Sequence, residues 1–262
     1  MGKQGKKKRI WLRVLLGILA ALLLVIIGYV LYVMISYHRL PDDLTLDVRT
    51  PENADITGTV SVGTDYEIIT YNIGFGAYTP DYSFFMDGGK SSVAASKESV
   101  LATVSGAGEL AAGYDPDFMI FEEVDLKATR SYHVDEYELL DKYFSGYYSD
   151  FAINYDSAFL MVPPWEPHGK SLAGIAFYSK YPIASAVRKS FPISTSFSKF
   201  LDLDRCYSIS RIPADNGKEL VIFSLHMSAY GNSDAIREAQ VNKLCGDMQA
   251  EYEKGNYVIC GG

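Results

Sequence analysis

At 262 residues, 48% of them hydrophobic and with no internal repeat, the chain is long enough for one large globular domain plus an appendage, which excludes a disordered or low-complexity protein. Charge is unevenly spread: residues 1–39 hold seven of the 24 basic residues and no acid, which leaves 17 bases against 32 acids, about −15, for residues 40–262. That surface repels polyanions and argues against a chain that coats DNA or RNA, although a bound metal ion inverts such a field locally.

The basic cluster Lys6-Lys7-Lys8-Arg9 precedes Val14 to Ile35, an uncharged run of 22 residues. A helix of that length crosses a hydrocarbon core of ~30 Å. The run ends in Ser36-Tyr37-His38-Arg39 with no small-residue cleavage pattern, so it reads as an uncleaved anchor and not as a signal peptide. The positive-inside rule puts the amino terminus in the cytoplasm. The expected organisation is a basic cytoplasmic tail (1–13), a single-pass anchor in the cell membrane (14–37), a tether with room for a first strand (38–65) and an extracytoplasmic domain (66–262).

Within that domain, Glu67 to Tyr71 predicts a strand from whose end Asn72-Ile-Gly-Phe-Gly76 turns away. Ser96 opens a helix with Val100, Leu101, Val104 and Leu110 on its apolar face, ending near Gly113. Phe118 to Phe121, entered through Asp115-Pro-Asp117 and left through Glu122-Glu123, predicts a buried central strand; side chains alternate along a strand, so one glutamate alone can face a given cleft. Residues 125–170 read as an elaborated loop region that carries Arg130, His133, Asn154, Tyr155 and His168, with both histidines at the surface. Strands follow at Gly174–Tyr178 and Ala184–Val187. The segments Cys206–Ile212 and Glu219–Leu225 flank Asp215-Asn-Gly217, a strong hairpin signal, and His226 leaves the second arm. Ser233 or Asp234 caps a helix closed by Gly255. Tyr257-Val-Ile-Cys260 is apolar throughout, which predicts an interior strand covered on both faces. Cys206, Cys245 and Cys260 lack metal-ligand spacing and read as unpaired and mostly buried.

Five stretches in this order resemble the endonuclease/exonuclease/phosphatase superfamily, the metal-dependent phosphoesterases related to pancreatic deoxyribonuclease. They are Tyr71-Asn-Ile73, Pro116-Asp-Phe-Met-Ile-Phe-Glu-Glu-Val124, Ala173-Gly-Ile-Ala-Phe-Tyr-Ser-Lys-Tyr-Pro-Ile183, Leu225-His226, and the helix bearing Arg237 and Gln240. The resemblance implies a four-layer α/β sandwich, two stacked mixed sheets with outer helices, and a metal held by Glu123 with Asn72. It also implies that His226 contacts the scissile phosphate. The family more often has Gln where this chain has Glu122. It also continues past Gly-Gly with Asp-Phe-Asn and closes with Ser-Asp-His, so the sequence is expected to be truncated at its carboxyl end and catalytically incomplete as written.

The residue chemistry is consistent with this. Phosphodiester cleavage needs a hard cation on oxygen ligands and a proton-transfer group, which Glu123, Asn72 and His226 supply; Mg²⁺ or Mn²⁺ suits a site without Cys or several His. Each residue also has a plain structural reading: solvated loop charge for Glu123, turn cap for Asn72, satisfied core histidine for His226. Lys170 and Arg205 are further candidates for meeting a phosphate, against ordinary solvation. The expected function is a membrane-anchored phosphoesterase acting outside the cytoplasm on a small phosphoester or lipid head group in preference to long nucleic acid, with no protein partner implied. The alternative is a binding or scaffold module that keeps the fold without the chemistry.

Overall fold

The computed structural model describes residues 3–52, 56–196, 199, 203–228 and 234–262. The chain divides into two compact units, Met1–His38 and Arg39–Gly262. The first is a single helix, α1 (Lys3–Ser36), in which Arg9–Ser36 is long and apolar enough to cross a membrane.

The second unit begins where the tether was expected. Residues 40–52 and 56–65 are laid onto the domain: Leu40 N–H donates to Asp204 Oδ2 at 3.0 Å, β1 (Leu44–Thr45) pairs with β6 (Ser185–Ser190), and Val60 bridges to Ala214. One sheet has the order β2 (Ile68–Asn72), β3 (Phe118–Asp125), β5 (Leu172–Ser179), β4 (Tyr148–Asp156), with β2 and β3 parallel. The other runs β1, β6, β7 (Cys206–Pro213), β8 (Glu219–Leu225), β9 (Tyr257–Gly261).

Alternation along β3 shows how these become four layers. Met119 and Phe121 pack outward against Val100, Val104, Ala107 and Ala111 of α2 (Lys97–Ala112) and against Leu140 of α3 (Glu136–Leu140). Phe118 and Ile120 point inward, meeting Ile183, Cys206, Ile212 and Ile222 of the second sheet. On the far side Leu244 of α4 (Asp234–Glu253) covers Tyr207, Val221 and Phe223. Helix, sheet, sheet, helix is the expected sandwich.

Several expectations require correction. The segment 125–170 is not all loop, for it contains α3 and the nine-residue β4. Buried Ser149, Asp150 and Asn154 interrupt the apolar alternation of β4 and hide its period. Ser96 does cap α2, accepting from Ser99 N–H at 3.1 Å, but Leu101 and Leu110 are exposed, since the buried stripe runs through the small residues. β9 pairs with β8 alone among the described strands, and Tyr257, Ile259 and Cys260 are exposed. Cys245 is exposed too, which leaves Cys206 as the buried thiol. Of the two cap candidates for α4, Ser233 lies outside the described residues.

Asp150 lies between the sheets, where its Oδ2 accepts from Ser210 Oγ at 2.6 Å. Burial pushes its pKa up to about 7 from an ordinary 3.8. A raised acid favours the neutral form in the folded state, so its contribution is intact below the unfolded pKa and is lost as pH rises through the folded one, at ~1.4 kcal/mol per pH unit. Asp150→Asn keeps an acceptor for Ser210 and removes this term. Its denaturation midpoint is expected to exceed that of the unsubstituted protein at pH 8, with the gap closed at pH 4; a gap independent of pH would refute this.

Candidate active site

The site forms where the carboxyl ends of β2, β3, β4 and β8 come together, the edge at which open α/β sheets receive ligands. β3 loses its register with β5 between Phe121 and Val124. The bulged Glu123 has φ +56°, in the left-handed region, and this separates the two carboxylates. Glu122 turns into the sheet, 2% exposed, and accepts from Thr70 Oγ1 at 2.5 Å. Burial raises its pKa to about 7. Glu123 turns into the cleft instead.

Around Glu123 stand residues from the neighbouring strands. Asn72, at the end of β2, donates from Nδ2 to Glu123 Oε1 at 3.1 Å, and its Oδ1 accepts from Gly74 N–H at 2.9 Å. His226 follows β8, with Nε2 3.7 Å from Glu123 Oε1. Asn154, from β4, donates to His226 Nδ1 at 3.3 Å, which leaves the imidazole hydrogen on Nε2, facing Glu123. Burial first, and then the charges of Arg205 and Arg130, push the His226 pKa down to about 3. The imidazole is therefore neutral at pH 7 and does not neutralise the carboxylate beside it.

Behind these groups is a buried ion pair. Asp125 accepts from Arg130 Nε at 3.0 Å and Nη2 at 2.7 Å and from Ser131 Oγ at 2.7 Å, while its own N–H donates to Glu136 Oε2 at 2.8 Å. Burial, reinforced by the Asp125 charge, raises the Glu136 pKa well above the carboxylate range. The guanidinium lies 3.9 Å over the Phe75 ring.

Two cavities open here. One, of 530 Å³, is lined by Asn72, Glu123, Arg205 and His226 among others. The second, of 190 Å³, has walls of mixed aromatic and aliphatic side chains and shares Tyr78, Glu123 and Arg205 with the first. Arg205 is thus brought to the site. Lys170 is exposed, lines neither cavity, and donates its backbone N–H to Thr129 Oγ1. His133 is exposed as expected, but His168 is buried at 4% exposure, because its loop folds back over Phe84 and Tyr155.

No three His, Cys, Asp or Glu side chains cluster among the described residues, so they form no all-protein metal cage. Mg²⁺ needs none, since it is commonly held by one or two carboxylates, waters and substrate phosphate. A part-exposed carboxylate between an amide and a neutral imidazole fits that pattern.

No family model matches the chain, and no curated protein matches it. Similar solved structures include an endonuclease/exonuclease/phosphatase from Beutenbergia cavernae DSM 12333, with 16% identity and TM-score 0.48 over 69% of this chain and 43% of that one. ANGEL2, a 2',3'-cyclic phosphatase, in complex with adenosine-2',3'-vanadate has 12% identity and TM-score 0.49 over 82% and 55%. A family protein from Leptotrichia buccalis C-1013-b has 16% identity and TM-score 0.43 over 71% and 62%. The chain spans about half the length of the structures it matches.

The sequence pattern leaves Arg130, Asn154 and Tyr155 in a loop without a role. The signal available for Asn154 and Tyr155 was a polar tip after an apolar stretch, Phe151-Ala-Ile-Asn-Tyr155, the same pattern that marks Asn72 and His226. Arg130 follows a strand-end acid by five residues, a spacing that carries no signal without the fold.

Proposed function

We propose that this site binds a divalent cation, Mg²⁺ or Mn²⁺, and hydrolyses a phosphoester outside the cytoplasm, with α1 as the membrane anchor. The observation that supports this reading most is that Asn72 at the end of β2 and His226 just past β8 both reach to within 3.7 Å of Glu123 Oε1 on β3. Glu123 would hold the cation, with Asn72 in support. A cation bound there would polarise a phosphoryl oxygen and offset the charge that develops on it.

The remaining chemistry belongs to the chain's own groups. His226, neutral and fixed through Nδ1 by Asn154, donates from Nε2–H to a phosphoryl oxygen. Arg205, 4% exposed and lining both cavities, adds positive charge beside that oxygen. The acidity of residues 40–262 favours a small phosphoester or lipid head group over long nucleic acid.

Intact cells carrying the full-length protein are expected to hydrolyse membrane-impermeant bis(p-nitrophenyl) phosphate, to stop when EDTA is added outside, and to resume with excess Mn²⁺. Activity that appears only after lysis would sink the topology. Activity indifferent to EDTA would sink the metal.

A further inference from the structure

The smaller cavity has a chemistry that phosphate handling does not use. Its walls include Phe75, Phe84, Phe85 and Tyr155. Set among them is the His168 imidazole, with its ring centre 6.4 Å from Phe84, 6.4 Å from Phe85 and 6.2 Å from Tyr155. Nδ1 of this buried ring has no hydrogen-bond partner among the described residues. Burial, with the nearby Arg130 charge, pushes the His168 pKa down to about 3, so the ring is neutral. A buried polar nitrogen left unsatisfied costs ~1–3 kcal/mol, and native structures leave few of them.

Resting on the phosphoesterase reading above, we propose that this cavity is a subsite for a flat unsaturated ring carried on the phosphoester. Glu123 and Arg205 line both cavities, so an ester whose phosphate meets them in the larger space extends its substituent into the smaller one. At 190 Å³ the space falls below the ~300–1,000 Å³ of sites that enclose a whole drug-sized ligand, so it holds part of a substrate, one ring system and not paired acyl chains. The aromatic part of the wall, Phe75, Phe84, Phe85 and Tyr155, rewards a ring over an alkyl chain through stacked and edge contacts, while Met86, Leu160, Val162 and Leu203 receive either. The ring has two possible sources, an aryl ester or a nucleobase; only the nucleobase edge carries groups for His168 Nδ1.

Isothermal titration of the full chain in lipid nanodiscs at fixed Mg²⁺ tests this with phenyl phosphate, thymidine 5'-monophosphate, n-hexyl phosphate and inorganic phosphate. Phenyl phosphate and the nucleotide are expected to bind at least roughly tenfold tighter than the hexyl ester, about 1.4 kcal/mol. Phe85→Ala should erase that advantage and leave inorganic phosphate unchanged. With a nucleobase as the natural ring, the nucleotide exceeds phenyl phosphate and His168→Ala removes the excess. With an aryl ester the two bind alike and His168→Ala changes neither. Equal or tighter binding of the hexyl ester by the unsubstituted protein overturns the proposal. Failure to bind any phosphate defeats the phosphoesterase reading instead.

Discussion

Glu123→Gln is expected to lower metal-dependent phosphodiester hydrolysis by the full-length protein roughly 10³-fold, while Glu122→Gln changes it less than about threefold. The two side chains are adjacent in sequence and receive the same near-isosteric change, so the contrast isolates position. Glu123 faces the cleft beside Asn72 and His226, whereas Glu122 is turned into the sheet against Thr70. A metal ion supplies several kcal/mol of charge stabilisation in a transition state, and each 1.36 kcal/mol is tenfold in rate. Gln fills the same space without the anion that holds the cation. Mn²⁺ binding, followed by the loss of the free-ion paramagnetic signal, should weaken in parallel. If Glu122→Gln is the inactive variant and Glu123→Gln the active one, the direction of the bulge has been assigned the wrong way.

Asp125→Ala is expected to destabilise the domain by ~3–5 kcal/mol, a large share of the ~5–15 kcal/mol by which domains are stable. Arg130 is 6% exposed, and Asp125, at 0%, accepts two of its hydrogen bonds and one from Ser131. Removing the acid strands a guanidinium that does not deprotonate. Glu136 lies on the same network, and the Asp125 charge contributes to keeping it protonated. Without Asp125 it is free to ionise and to offset part of the loss, so Asp125→Ala with Glu136→Gln should be worse than the two separate effects combined. Denaturant midpoints of the three variants measure this coupling directly. A loss below about 1 kcal/mol for Asp125→Ala would show that the pair contributes little.

The parts legible in the sequence were those in which local pattern and tertiary position agree. The apolar run Phe118 to Phe121, the Asp215-Asn-Gly217 turn and the Ser96 cap each announce themselves within a few residues, and Asn72, Glu123 and His226 each sit where an apolar strand gives way to a polar tip. β4 was hidden because it buries Asp150 and Asn154, whose partners, Ser210 and His226, are 60 and 72 residues away. The burial of His168 is hidden for a similar reason. A Pro-rich loop reads as surface, and only the aromatic cluster donated by residues far upstream covers it. Polar residues buried by long-range partners leave no periodic trace, and the candidate site is built largely from such residues.

The left-handed backbone at Glu123 also sets folding against chemistry. A residue with a Cβ gives up about 1–2 kcal/mol to hold that conformation, whereas glycine adopts it freely. Selection for folding alone would therefore drift this codon toward glycine and gain stability by deleting the carboxylate that Asn72 and His226 meet. On the phosphoesterase reading, the strain carried at Glu123 is what the chain exchanges for a carboxylate in the cleft.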